Sequence, residues 1–166
     1  MQEGDYDRGL FSLYFANIVH LKAGDALFQN EGVIHAFLEG QYIEIMQNSD
    51  NIARAGMTNK PIDIEGLMKF MTFTSQKPNI LEGRKENNEI FYDAPADEFL
   101  VSQLLLKDGM PYKQTSYSVE ILMGITGNAT ITSGGITLPL GQGKSIVVFA
   151  GATYDITCLL YTSRCV

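Results

Sequence analysis

Leu21-Lys22-Ala23-Gly24-Asp25-Ala26-Leu27-Phe28-Gln29-Asn30-Glu31-Gly32-Val33-Ile34-His35 occurs twice in outline. The second copy is Leu140-Gly141-Gln142-Gly143-Lys144-Ser145-Ile146-Val147-Val148-Phe149-Ala150-Gly151-Ala152-Thr153-Tyr154. Gly24 to Gly32 and Gly143 to Gly151 each span eight positions; Gly24 to His35 and Gly143 to Tyr154 each span eleven. In both copies the first glycine suits the turn before a short apolar strand and the second the turn after it. The next strand then begins near His35 or Tyr154. An internal repeat of this kind predicts two related β units.

The flanking sequence agrees. Phe15-Ala16-Asn17-Ile18-Val19-His20-Leu21 is an apolar stretch leading into the first turn, and Gln41-Tyr42-Ile43-Glu44-Ile45-Met46 reads as a further strand by its β-branched and aromatic content. Strands are also predicted over Phe99–Leu106, Tyr117–Met123, Asn128–Thr132, Gly134–Leu138 and Ser145–Phe149, with Ser133-Gly134-Gly135 as a hairpin turn. One helix is expected: Asp63 caps it, and Ile64, Leu67, Met68 and Met71 fall on one face. Met57, Met68 and Met71 read as core filling. The predicted organisation is a first β unit with its helix over 1–75, a polar linker over 76–97, a second β unit over 98–157, and a tail over 158–166.

Composition narrows the partners. The 166 residues are 45% hydrophobic and 19% charged, which is globular composition. A net charge of -7 disfavours nucleic acid or an anionic membrane surface, but a few local cations suffice for a phosphorylated small molecule. No apolar run reaches the roughly 18 residues needed to span a bilayer, and the acidic start Met1-Gln2-Glu3-Gly4-Asp5 is no secretion signal. A cytoplasmic setting is expected; the sequence sets no oligomeric state. Both cysteines, Cys158 and Cys165, lie in the last nine residues, which resemble translated sequencing-adapter ends and are read as a non-native tail. The alternative is a genuine final strand carrying a free thiol.

The repeat resembles the jelly-roll half-motif of the cupin barrels, a mainly β fold in which the residue at the His35 position points inward and binds a metal. Tyr154 takes that slot in the second copy, so the second cupin reads as metal-free and the first as incomplete. Position alone leaves His35 as a metal ligand or a satisfied core histidine; His20 reads as surface. Ser49-Asp50-Asn51 has ordinary turn chemistry as its simplest reading, and Arg54 could pair with Asp50 one helical turn earlier.

More specific is the run Val33-Ile34-His35-Ala36-Phe37-Leu38, Glu44-Ile45-Met46, Ser49-Asp50-Asn51-Ile52-Ala53-Arg54-Ala55-Gly56-Met57-Thr58-Asn59-Lys60, then Pro61-Ile62-Asp63-Ile64. It resembles class I mannose-6-phosphate isomerases from about Gly9 to about Ile156, as their C-terminal portion. That resemblance implies a zinc enzyme interconverting mannose 6-phosphate and fructose 6-phosphate. It implies His35 as one zinc ligand and Arg54 as an active-site arginine holding an oxyanion or the enediolate. Lys60 becomes a phosphate contact and Glu44 a ligand-orienting group or proton carrier. Asp50 would orient Arg54 or its loop at the substrate. Phe37 stands where that family has tyrosine, and Asn59 where it has proline. The other ligands, a glutamine, a histidine and a glutamate, have no counterpart before Gly9, so the isolated chain is expected to be inactive. Two competing readings stay open: a non-catalytic phosphosugar-binding or regulatory cupin, and a structural cupin without a ligand.

Overall fold

The computed structural model describes residues 6–49, 51–106 and 110–158. The chain divides into two units, Met1–Gly83 with Tyr92–Val101, and Arg84–Phe91 with Ser102–Val166.

The first unit opens on a 3-10 turn, Arg8–Phe11, running into a one-turn helix α1, Ser12–Phe15. Asp7 starts it by accepting the Gly9 amide at 2.7 Å, which satisfies a donor that the helix start would otherwise leave unpaired. Phe15 is therefore helical, and 16–20 has no regular structure. Strand β1, Ala26–Phe28, pairs antiparallel with β2, Asn79–Leu81, aligning Ala26 with Leu81 and Phe28 with Asn79. The Tyr92 hydroxyl donates to the Gly24 carbonyl at 2.5 Å and fastens the turn before β1. Helix α2, Ile64–Phe70, is capped as expected, with Asp63 Oδ1 accepting the Gly66 amide at 2.9 Å. Its apolar stripe is only partly covered, however: Leu67 and Met71 are half-buried, but Ile64 is 67% and Met68 54% exposed, and Met57 is exposed too. The expectation that these methionines fill a core is corrected for Met57 and Met68; only Met71 is half-buried. Two turns of helix beside a two-stranded ribbon offer too little surface to bury them. The strand expected over Gln41–Met46 is also absent, since no neighbouring strand among the described residues supplies its hydrogen bonds.

Every regular element described in the second unit is a strand. A three-stranded sheet runs β3, Arg84–Glu86, β4, Glu89–Tyr92, and β5, Val101–Leu104. Segment 76–97, read from its polarity as a linker, thus carries three short strands. A four-stranded sheet has the order β6 (Tyr112–Thr115), β11 (Thr153–Cys158), β8 (Asn128–Ser133) and β9 (Ile136–Gly141). A third sheet pairs β7, Glu120–Met123, with β10, Ser145–Val148. Alternation decides which side is buried: Ala129 and Ile131 on β8, and Tyr154 and Ile156 on β11, point into the core with Leu140 and Val148. Leu104, Leu106, Tyr112, Leu122, Ile146 and Ala152 pack against them. Pro139 lies on the edge strand β9, where its missing amide leaves no gap in the sheet interior. Cys158 ends β11 opposite Ala129; the rest of the predicted tail lies outside the described residues.

Both copies of the repeat make the same local structure. Gly24 and Gly143 have φ of 93° and 71°, and Gly32 and Gly151 of 73° and 80°. A side chain at such angles costs roughly 1–2 kcal/mol, so the turns themselves select glycine. The amide after the first glycine bonds three residues back in each copy, Asp25 to Lys22 at 2.9 Å and Lys144 to Gly141 at 3.1 Å. A strand follows in both, β1 or β10. The copies part company after the second glycine: Tyr154 sits inside a strand, whereas His35 does not.

Candidate functional site

The residues singled out from the sequence lie in the first unit, on irregular chain between β1 and α2. His35 is exposed. Its Nδ1 lies 3.0 Å from the Val33 carbonyl, which can only accept, so Nδ1 is the donor and the neutral ring has its lone pair on Nε2. Its ring meets Phe37 edge-on at 5.7 Å, and Phe37 stacks on Tyr42 at 3.8 Å. An oriented imidazole with a bare Nε2 has the form of a metal ligand. One such group is not a zinc site, and no three His, Cys, Asp or Glu side chains come together among the described residues. The donor set present therefore does not fit zinc by itself.

Arg54 is half-buried and lines a cleft of about 210 Å³ with Asn51, Ile52, Pro61, Asp63 and α2 residues. No carboxylate among the described residues pairs with it. A partly desolvated guanidinium in a cleft, unpaired among the described residues, is suited to an external oxyanion. Lys60 is exposed, next to Pro61 in sequence, and does not itself line the cleft; its amide is bonded to Thr58 Oγ1 at 3.2 Å. Glu44 is exposed on unpaired chain and, like His35, does not line the cleft. Asp50 lies outside the described residues; its neighbour Asn51 has its amide held by Ser49 Oγ at 3.1 Å, the turn chemistry expected there. His20 is exposed, as read.

Sequence reasoning missed Asp7. Its Oδ2 accepts the Met57 amide at 2.8 Å while Oδ1 holds Gly9. The two backbones approach closely enough that a Cβ on Gly56 would meet the Gly9 Cα at 2.9 Å. Asp7-Arg8-Gly9 does carry a legible helix-capping signal, but nothing in it tells which distant amide the second oxygen would take.

In the second unit the slot equivalent to His35 is filled by buried Tyr154, whose hydroxyl donates to Glu120 Oε2 at 2.7 Å. Nearby, Glu89 accepts from Ser102 Oγ at 2.6 Å and from Tyr112 at 3.0 Å. Burial raises both phenols first and the glutamates raise them further, Tyr112 to about 12. Each phenol keeps its proton and each carboxylate is already satisfied, so this arrangement ties strands together.

No family model matches this sequence. Individual relatives do. Mannose-6-phosphate isomerase of Escherichia coli (strain K12) is 37% identical over 149 residues, 87% of this chain and 37% of that protein. The probable mannose-6-phosphate isomerase of Caenorhabditis elegans is 35% identical, covering 90% and 36%, and the Homo sapiens enzyme 30%, covering 93% and 38%. The chain thus spans little more than a third of the length of the curated relatives it matches. Among solved structures, mannose 6-phosphate isomerase (apo form) from Salmonella typhimurium superposes with a TM-score of 0.59 at 27% identity, over 68% of this chain and 30% of that one. Point mutants of that organism's phosphomannose isomerase have been crystallised with a histidine, a glutamate or an arginine replaced by alanine.

Proposed function

Because the chain is a relative of the mannose-6-phosphate isomerases along about a third of their length, we propose that it is part of an aldose-ketose isomerase interconverting mannose 6-phosphate and fructose 6-phosphate. One observation carries the site: three of the positions replaced in the Salmonella mutants, a histidine, a glutamate and an arginine, are spaced along their chain as His35, Glu44 and Arg54 are along this one. That agreement supports reading all three as site residues.

The reaction moves a proton between adjacent sugar carbons through an enediolate, so negative charge develops on a sugar oxygen and must be held. Arg54 supplies a planar two-pronged donor for that charge or for the phosphate. Lys60, at the same loop's end, offers a mobile cation to the phosphate. Glu44 is the candidate proton carrier, and Asp50 the group that orients the arginine loop. The relatives' chemistry implies zinc as a Lewis acid in the whole protein, with His35 one ligand and the others from residues beyond this sequence. A charged sugar phosphate does not cross bilayers freely, which fits a cytoplasmic setting.

The chain alone is then inactive. Coupled-assay turnover of mannose 6-phosphate by the purified 166-residue protein would overturn that statement. In the whole protein, an Arg54→Ala variant that isomerised at the parent rate would sink the role given to Arg54. A second reading, phosphosugar binding without chemistry, is favoured by the cleft being built from this chain while no cluster of metal ligands forms among the described residues. Sugar-phosphate binding by a whole protein that neither holds zinc nor isomerises would select it.

A further inference from the structure

We infer that Asp7 is the positioning residue of the Arg54 loop: one carboxylate holds the helical turn at residues 8–11 to the backbone at Met57, three residues beyond the arginine. This rests on the reading of Arg54 as the oxyanion-binding group.

Four observations meet at that carboxylate. Its two oxygens are both committed, Oδ1 to the Gly9 amide at 2.7 Å and Oδ2 to the Met57 amide at 2.8 Å. The second contact links residues fifty positions apart. Met57 has φ of 51°, a left-handed conformation that a methionine seldom adopts without something to hold it. The bound amide belongs to that same residue. Finally, Gly9 and Gly56 stand against each other: a Cβ on Gly56 would meet the Gly9 Cα at 2.9 Å, and one on Gly9 the Met57 amide nitrogen at 3.0 Å. The glycine of Arg54-Ala55-Gly56 is thus needed for the close approach, and Asp7 for the bond that closes it.

Arg54 lies on irregular chain, with no strand or helix of its own to fix it. Its other flank is the wall built by Pro61, Asp63 and α2. The clamp at Met57 therefore sets where the arginine enters the cleft. A guanidinium fork must be placed to within a fraction of an ångström to hold a developing oxyanion. Asp7 itself touches no substrate.

The test uses the full 166-residue chain and its Asp7→Ala, Asp7→Asn, Asp7→Glu and Arg54→Ala variants. Amide hydrogen exchange is read at Met57, with Ile131 and Ile156 as second-unit references, and fructose 6-phosphate binding by titration calorimetry. Loss of a carboxylate-amide bond should speed Met57 exchange about tenfold or more in Asp7→Ala with the references unchanged. Asp7→Asn, which keeps one acceptor, should fall between, and Asp7→Glu should recover part of the protection. Binding should weaken about tenfold in Asp7→Ala, and the double variant should bind no more weakly than Arg54→Ala alone, because the two act as one unit. Unchanged Met57 exchange, or fully additive binding losses, overturns the inference. If Arg54→Ala alone leaves binding intact while Asp7→Ala frees Met57, the role of Arg54 falls and the clamp stands.

Discussion

The hydroxyl of Tyr154 on β11 donates to the carboxylate of Glu120 on β7 across 2.7 Å, bonding one sheet of the second unit to another from within its core. Tyr154 is 2% exposed, so water cannot replace the bond. A Tyr154→Phe variant keeps the ring but leaves the half-buried carboxylate without its donor, and should lose about 1–3 kcal/mol. Urea unfolding followed by tyrosine fluorescence measures it. A midpoint shift near zero would show that the hydroxyl is not holding the sheets together.

The same phenols make the second unit sensitive to alkali. Burial, then the charge of Glu89 and its hydrogen bond, raise Tyr112 to about 12; burial and the Glu120 bond raise Tyr154 as well. Unfolded phenols ionise near 10. Between the two values the unfolded chain has released protons that the folded one retains, so rising pH favours unfolding. The contribution should be fully present below about pH 10 and disappear as pH climbs to about 12. Urea midpoints taken every half unit over that range, alongside phenolate absorbance, check it. Stability flat through that window would contradict the assignment.

The sequence carried the repeat because turns select glycine for local reasons, and all four repeat glycines have positive φ. The Ser133-Gly134-Gly135 hairpin was legible for the same reason, Gly134 and Gly135 having φ of 56° and 80°. Asp63 was legible as a cap because its bond spans three residues. What failed depended on distant partners. Gln41–Met46 has strand composition, yet no strand among the described residues pairs with it. Met68 has helix-stripe spacing, yet it stays 54% exposed. Arg84–Glu86 is fully polar and became a strand because Phe91, Ile90 and Glu89 lie opposite. Arg54 was singled out from its motif and lines a cleft, whereas the Asp7 contact spans fifty residues and leaves no local mark.

Equivalent glycines of the repeat should respond differently to alanine. Gly32 and Gly151 share nearly the same φ, 73° and 80°. A Cβ on Gly151 meets open space, while one on Gly32 would strike the Phe70 carbonyl and approach Thr72 Oγ1 at 3.0 Å. Gly151→Ala should cost only the conformational strain, roughly 1 kcal/mol. Gly32→Ala should also break the bond from the Thr72 amide to the Gly32 carbonyl, 2.8 Å in the parent, and loosen the end of α2. Hydrogen exchange at Thr72 and Met71 separates the two outcomes. Equal, small effects would mean that Gly32 is chosen for its φ alone.

Arg54 offers the sharpest test of the site, because charge and shape can be separated. Arg54→Lys keeps the cation but loses the two-pronged planar donor; Arg54→Ala loses both. A guanidinium meeting an oxyanion through paired hydrogen bonds predicts a graded loss, with alanine weakening fructose 6-phosphate binding by about ten- to a hundredfold. Lysine should recover only part. Charge attraction alone would instead let lysine restore nearly everything, with a steep dependence on salt for both. Titrations at low and moderate ionic strength distinguish these cases. The affinity gap between arginine and lysine should persist at the higher salt, since screening weakens the shared charge but not the fork's geometry.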